Sequence, residues 1–189
     1  TRRLITSRTH PRLLGLKATL DSNGEPQING HPWDDPESTR AVVSAAGPHA
    51  RLIHWDGPER FDILPLLVAT DGALEAFGYD RRRLRPNIVI GGVQGLAERH
   101  WPGQRARIGE AVVEFAQLRA RCVMTTYDPD TQEQNHRVLR DIVKKFGGTL
   151  ALDTAVIQPG RIAVDDTVEL LTHDQHEFGS PSLEDTSVH

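Results

Sequence analysis

Cysteine is almost absent from this chain of 189 residues, which has one, Cys122. A single thiol excludes an internal disulfide, an iron–sulfur cluster held by four thiolates of this chain, and any cysteine-rich zinc site. Its scarcity fits a reducing compartment, and a cytoplasmic location is expected. Positive charge is not in excess either: 22 lysines and arginines face 26 aspartates and glutamates, a formal net charge of -4. Nucleic-acid binders carry a basic stripe, so none is expected as a partner. No apolar run approaches the roughly 20 residues that cross a bilayer, and no membrane span is expected. A secretory leader is not visible. The sequence opens at Thr1 rather than Met, inside a stretch that reads as a strand. The expectation is that the true N-terminus precedes it, with any targeting segment.

What is present is a series of short apolar runs between turn residues. Residues 3–6 and 13–20 read as strands, and 21–24 as a turn. Asp35 and Pro36 start a helix as N-cap and first helical residue. Val42, Val43 and Ala46 give it one apolar side, and Gly47-Pro48 ends it. Residues 50–55 and 63–69 read as strands around Gly57-Pro58. Asp71 caps a short helix over 72–77, stopped by Gly78. Residues 84–90 form a strand by Ile and Val content, with Pro86 confined to an edge or to the strand's start. Residues 104–118 read as a hairpin turning near Gly109-Glu110, followed by the strand of Cys122. The clearest helix is 131–146, with Val138, Leu139, Ile142, Val143 and Phe146 on one face and Gly147-Gly148 as its stop. Strands at 155–157 and 162–171, the latter with an Asp165-Asp166 turn, close a domain over 1–171. Residues 172–189 are polar and aperiodic and read as a disordered tail. The sum is a β-rich α+β domain, best closed as a barrel, with peripheral helices.

Cys122 sits where a strand ends and the turn-forming Asp128-Pro129-Asp130-Thr131 begins to approach. A thiol there serves as a soft-metal ligand, as a nucleophile, or simply as a small buried hydrophobe. A hydrolase pairing Cys122 with His54 or His100 is one nucleophilic reading. Arg85 and Asn87, two apart on the expected strand, share a face there and offer a guanidinium and an amide to a phosphate or polar heterocycle. A surface Arg and a turn Asn is the other reading. Arg119 and Arg121 flank Cys122; Arg121, alternating away from the thiol's face, reads as solvated or paired with a carboxylate. Residues 128–131 lack the other oxygens of a calcium loop and read as a turn with a helix cap. Gly91 to Gly95 lack the lysine of a phosphate loop and read as a bulge or turn. His173 and His176 share a tail segment without further ligands.

Several segments resemble a known family in order and spacing: 83–90 (Arg-Leu-Arg-Pro-Asn-Ile-Val-Ile), Trp101, Ile108-Gly109, Arg121-Cys122, Thr125-Thr126, and 128–131. They resemble the MOSC domain, named for the C-terminal domain of molybdenum cofactor sulfurases. The likeness is nearest to the branch that includes amidoxime-reducing components and their bacterial relatives. Residues 160–170 resemble that family's closing hairpin, and 4–13 the segment that contributes a cofactor-binding arginine. The resemblance implies a β-barrel holding a molybdenum-molybdopterin cofactor with the metal on Cys122. It implies that Arg8, Arg85 and Asn87 contact the cofactor, with Thr70, Thr126 and Asp128 at the same mouth, Asp128 in a catalytic role. Two departures stand out. A first strand with a Lys-Ser pair would lie before Thr1, so the barrel is expected to be incomplete. The residue two before the cysteine, often Ser, is Ala120.

The resemblance implies an oxidoreductase that reduces N-hydroxylated or N-oxygenated small molecules. Lacking a flavin motif or cluster, the chain would draw electrons from a flavin- or cluster-bearing partner protein. The alternatives are a persulfide carrier or cofactor-handling protein, and a degenerate binding module. An open edge near residues 4–6 would invite pairing with a second copy.

Overall fold

The computed structural model describes residues 4–58 and 62–171. Its elements in chain order are β1 (Ala18–Leu20), β2 (Pro26–Ile28), β3 (His31–Pro32), α1 (Pro36–Ala46), β4 (Leu66–Thr70), α2 (Asp71–Phe77), β5 (Ile88–Ile90), β6 (Arg105–Ile108), β7 (Ala111–Ala120), α3 (His136–Phe146), β8 (Thr149–Gln158) and β9 (Val168–Leu171). Short 3-10 turns lie at Pro11–Gly15, Arg81–Arg83, Ala97–His100 and Val123–Thr126. The described residues gather into two compact units: 4–58 with 77–86 and 120–150, and 62–76 with 87–119 and 151–171.

The second unit is built on one six-stranded sheet in the order β5-β4-β8-β7-β6-β9, curled as half a barrel. The β-rich α+β class therefore holds, while among the described residues the sheet stays open at β5 and β9. β4 and β5 run parallel across α2, with Val68 opposite Ile88; β4 is antiparallel to β8, and β6 to both β7 and β9. The β6–β7 hairpin turns where the sequence predicts it. Gly109 there has φ 54°, and a Cβ would meet the Asp166 carboxylate and the Arg161 carbonyl, so only glycine fits. Val68, Ile90, Ile108, Val113, Phe115 and Leu152 form the core, and Trp101 tilts against Phe115 with ring centroids 5.2 Å apart. Each large side chain buried this way contributes roughly 1.5–3 kcal/mol.

In the first unit β1, β2 and β3 form a small antiparallel sheet. Asp35 caps α1 as expected, its carboxylate accepting the Glu37 N–H at 2.7 Å, and Gly47 ends the helix. Val42, Ala46 and Ala50 pack with Leu13, Leu16, Ile28 and Leu52. α3 buries Val138, Ile142 and Phe146, one every four residues, while Val143 is left exposed. Gly147 stops it in the left-handed conformation, φ 66°.

Several expected strands are not strands. Pro11 opens a 3-10 turn that takes residues 13–15 of the expected 13–20 strand, and only Ala18–Leu20 pair, as β1. Residues 50–55 are irregular, and so are 4–6; the open edge expected at 4–6 is therefore not there. Within 84–90 only Ile88–Ile90 pair, because Pro86 lacks an N–H and Arg85 has φ 58°. Arg85 and Asn87 thus do not share a strand face. α3 starts at His136 with Asn135 as its cap, since residues 127–134 form their own turn closed by a Tyr127–Gln134 bridge. β8 is ten residues, longer than the 155–157 read from the sequence. Buried Asp153 breaks the apolar run but is satisfied by Arg119 at 2.8 Å and Gln117 at 3.1 Å. Only 168–171 of the last expected strand pair, after the turn at Asp165. The predicted tail, with His173 and His176, lies outside the described residues.

Candidate cofactor site around Cys122

Cys122 follows β7 by two residues, with extended backbone, and heads the Val123–Thr126 turn. Its carbonyl accepts the Thr125 N–H at 3.1 Å and the Thr125 hydroxyl at 2.9 Å, and Val123 O accepts the Thr126 hydroxyl at 2.6 Å. Two β-branched threonines thereby wind the backbone into one tight turn. The Cys122 thiol is half-buried and makes no hydrogen bond among the described residues. No carboxylate or imidazole is spent on it, which suits a metal ligand better than a His-activated nucleophile. His54, one expected activator, instead stands against Trp33, with ring centroids 6.0 Å apart.

Arginines brace this turn. Arg121 donates to the Leu84 carbonyl at 2.7 Å. From the other side Arg83, its side chain only 10% exposed, donates to the Thr126 carbonyl at 3.0 Å and to Asp128 Oδ2 at 2.7 Å. Arg82 grips Asp130 with a two-pronged contact at 2.8 and 2.6 Å and also holds Asp80. Such paired forks are the strongest geometry a guanidinium offers a carboxylate. The segment 81–84 is therefore laced to 121–130. Arg83 and Arg121 escaped the sequence reading as site-builders because carbonyl partners leave no trace in a sequence. The Arg81-Arg82-Arg83 run facing Asp128 and Asp130 was the available signal.

Arg85 emerges from this lacing exposed; its N–H donates to the Arg82 carbonyl at 3.2 Å, and its side chain has no hydrogen-bond or ion-pair partner among the described residues. Arg8, in the same unit, sits exposed in the hydrogen-bonded turn from Thr6 to His10. Thr126 is buried, its hydroxyl also accepting from Gln134 Nε2 at 3.1 Å. Asp128 Oδ1 accepts the Asp130 and Thr131 N–H groups, both at 3.0 Å. The Thr131 and Asp130 amides, then the Arg83 charge, hold its carboxyl below the usual carboxylate range. It is an anion and a turn-former near neutral pH, not a proton donor.

The remaining two candidates lie in the second unit. Asn87 Oδ1 accepts the Leu67 N–H at 2.8 Å and its own N–H donates to Leu67 O at 2.8 Å, so the amide extends the β4–β5 pairing by one step. Its NH2 group makes no hydrogen bond among the described residues. Thr70 is fully buried; its hydroxyl donates to Glu98 Oε2 at 3.2 Å and accepts the Ala73 N–H, capping α2 in place of Asp71. Asp71 instead accepts the Gly92 and Val93 amides at 2.6 and 2.9 Å, and these hold its carboxyl below the usual range. That tie fixes the 91–95 loop as a turn. Glu98, missed in the sequence, is fully buried with Oε1 unpartnered among the described residues.

Among the described residues no group of three or more His, Cys, Asp or Glu side chains could hold a metal. A metal on Cys122 would take one ligand from these residues and the others from the group that carries it. One soft thiol, with unpartnered Arg85 in the same unit, fits a metal bound to an anionic organic cofactor.

The MOSC domain family pattern matches residues 70–169. Among curated proteins the chain is similar to Mitochondrial amidoxime-reducing component 1 of Mus musculus, 31% identical over 133 residues, 58% of this chain and 37% of that protein. It is also similar to Mitochondrial amidoxime reducing component 2 of Homo sapiens, 31% identical over 91 residues, 45% of this chain and 27% of that one. The matches thus span well under half the length of these relatives. Among solved structures, YiiM from Escherichia coli aligns with a TM-score of 0.41 and 20% identity over 57% of this chain and 54% of that one. No helix among the described residues is long and apolar enough to cross a membrane. The family pattern runs through just over half of the chain and takes in Arg85, Asn87, Cys122 and Asp128, and the chain belongs to the MOSC domain family.

Proposed function

We propose that this chain is a molybdenum-cofactor oxidoreductase that reduces N-hydroxylated or N-oxygenated small molecules with electrons from a partner protein. The observation that carries the reading is the half-buried Cys122 thiol, free of hydrogen bonds among the described residues, at the head of a turn braced by Arg83 and Arg121. Support comes from membership of the MOSC family and from the similarity to two amidoxime-reducing components.

The chain's own residues have distinct tasks in this reading. Cys122 is the metal ligand, its turn immobilised so that the thiolate keeps one position. Arg85 and Arg8 hold the anionic part of the cofactor, and the Asn87 NH2 group donates to its polar part. Thr70 and Thr126, fully buried with both hydroxyls engaged within the protein, act as turn-formers behind the site, and Asp128 keeps the 128–131 turn anionic and ordered. The bound cofactor would supply the two-electron chemistry. Removal of an N-hydroxyl oxygen as water consumes two electrons and two protons, so a donor protein is required.

Elemental and pterin analysis of the purified protein tests this. Near-stoichiometric molybdenum with pterin is expected in the wild type, and loss of the metal with retained fold in Cys122→Ala. Metal-free wild-type protein with a persulfide mass shift at Cys122 would instead establish the sulfur carrier.

A further inference from the structure

The first unit contains a cavity of about 500 Å³ with walls from three segments. The Pro11–Gly15 turn brings Arg12, α1 brings Ala41 and Ala45, and the loop after Asp128 brings Thr131 and Gln132. Charge sets it apart from an ordinary crevice. Arg12 is exposed, has no hydrogen-bond or ion-pair partner among the described residues, and no carboxylate lines the cavity. A guanidinium over a wall without acids attracts an anion.

The backbone adds a second, independent feature. Gln132 is held left-handed at φ 59°. Strain of this kind persists where the surroundings over-determine it, and it collects at ligand clamps. Here the Gln132 amide donates to the Asp130 carbonyl at 2.8 Å, and a Cβ on Gly15 would stand 3.0 Å from its Oε1. Glycine at 15 and left-handed backbone at 132 together shape this wall. Thr131 Oγ1 accepts the Glu133 N–H at 3.2 Å while its hydroxyl faces the Asp128 carboxylate, so Thr131 shapes the wall and leaves Arg12 as the head-group donor. Leu16, Ala41 and Ala45 give the lining its apolar part, beside the polar Ser44.

We propose that this cavity binds a small organic anion, with an apolar body against Leu16, Ala41 and Ala45 and a carboxylate or phosphate head on Arg12. The site stands apart from the metal reading and does not require it.

Calorimetric titration of the full chain with benzoate, phenyl phosphate and neutral benzamide tests the assignment. At least one of the two acids saturates a single site, and which one binds identifies the head group. Removing a charge-assisted contact weakens that acid by about ten-fold or more in Arg12→Gln. Ala41→Phe, which fills the cavity from α1, abolishes binding. Cys122→Ala leaves it unchanged, and benzamide binds about ten-fold more weakly or not at all. Absence of binding by both acids, benzamide binding as well as the acids, undiminished binding in Arg12→Gln or Ala41→Phe, or loss in Cys122→Ala would each overturn the proposal.

Discussion

Arg85 carries its charge on backbone that resists it. A left-handed residue with a Cβ costs roughly 1–2 kcal/mol, and a following proline favours extended backbone instead. The Leu84 carbonyl gripped by Arg121 and the flanking hold of Arg83 keep the segment in place. Glycine accepts this conformation without strain, which separates binding from folding in one substitution. In Arg85→Gly the cofactor-free protein should melt no lower than the wild type. Bound pterin should nevertheless fall about ten-fold or more, because a charge-assisted contact is worth roughly 1.5–3 kcal/mol. Undiminished pterin content in that variant would remove Arg85 from the cofactor site. At this scale the sequence disclosed what rarity discloses, a lone Cys122. It hid what depends on backbone: Arg121 on Leu84 O, Arg83 on Thr126 O, and an Asn87 side chain occupied by Leu67.

The 128–131 turn and the Arg81–Arg83 turn act as one element fastened by charge. Asp128 is held below the usual carboxylate range by the Thr131 and Asp130 amides and then by Arg83, whereas Asp130 and Asp80 are held there chiefly by Arg82. A lowered folded value means stabilisation that is complete above the unfolded carboxylate value, about pH 4. It is lost as pH falls from there through the lower folded values. Melting temperature should therefore be flat from neutral pH to about pH 4 for this contribution and drop below it. Asp130→Asn should melt lower than the wild type at about pH 6, with the gap closing in acid. A gap that stays constant down to about pH 2.5 would show that Asp130 acts by packing alone. Elements governed by local chemistry were legible: α1 through its Asp35 cap and Gly47 stop, the β6–β7 hairpin through Gly109, α3 through its buried stripe. Elements governed by distant partners were not. β8 hides Asp153 under Arg119, α3 gives up its predicted first five residues to the Tyr127–Gln134 turn, and residues 50–55 have strand composition without strand partners.

For the molecule as a whole, the family was legible because its motifs are ordered along the chain, and the match over 70–169 takes in all of them after the N-terminal arginine. The β-rich α+β fold on an incomplete barrel was legible with it, whereas the exact strand pairing was not, since pairing is a property of three-dimensional register rather than of any one segment. The same whole-chain view sets the electron supply. One cysteine cannot cycle as an internal dithiol, and the sequence carries neither a cluster motif nor the glycine-rich fingerprint of a dinucleotide site. On the proposed reading the two electrons therefore come from a partner protein. NADH mixed with the cofactor-loaded protein and an N-hydroxylated substrate should give no turnover. Adding a flavin- or cluster-bearing reductase, or a dye reductant such as reduced methyl viologen, should start it, and Cys122→Ala should abolish that activity. The dye matters as a control, because it bypasses protein recognition. Turnover with dye but with no tested reductase would mean the partner is of another kind and would leave the metal site intact as an explanation. Turnover with NADH alone, in protein shown to be free of contaminating reductase, would place an electron-accepting site on this chain that its residues do not suggest.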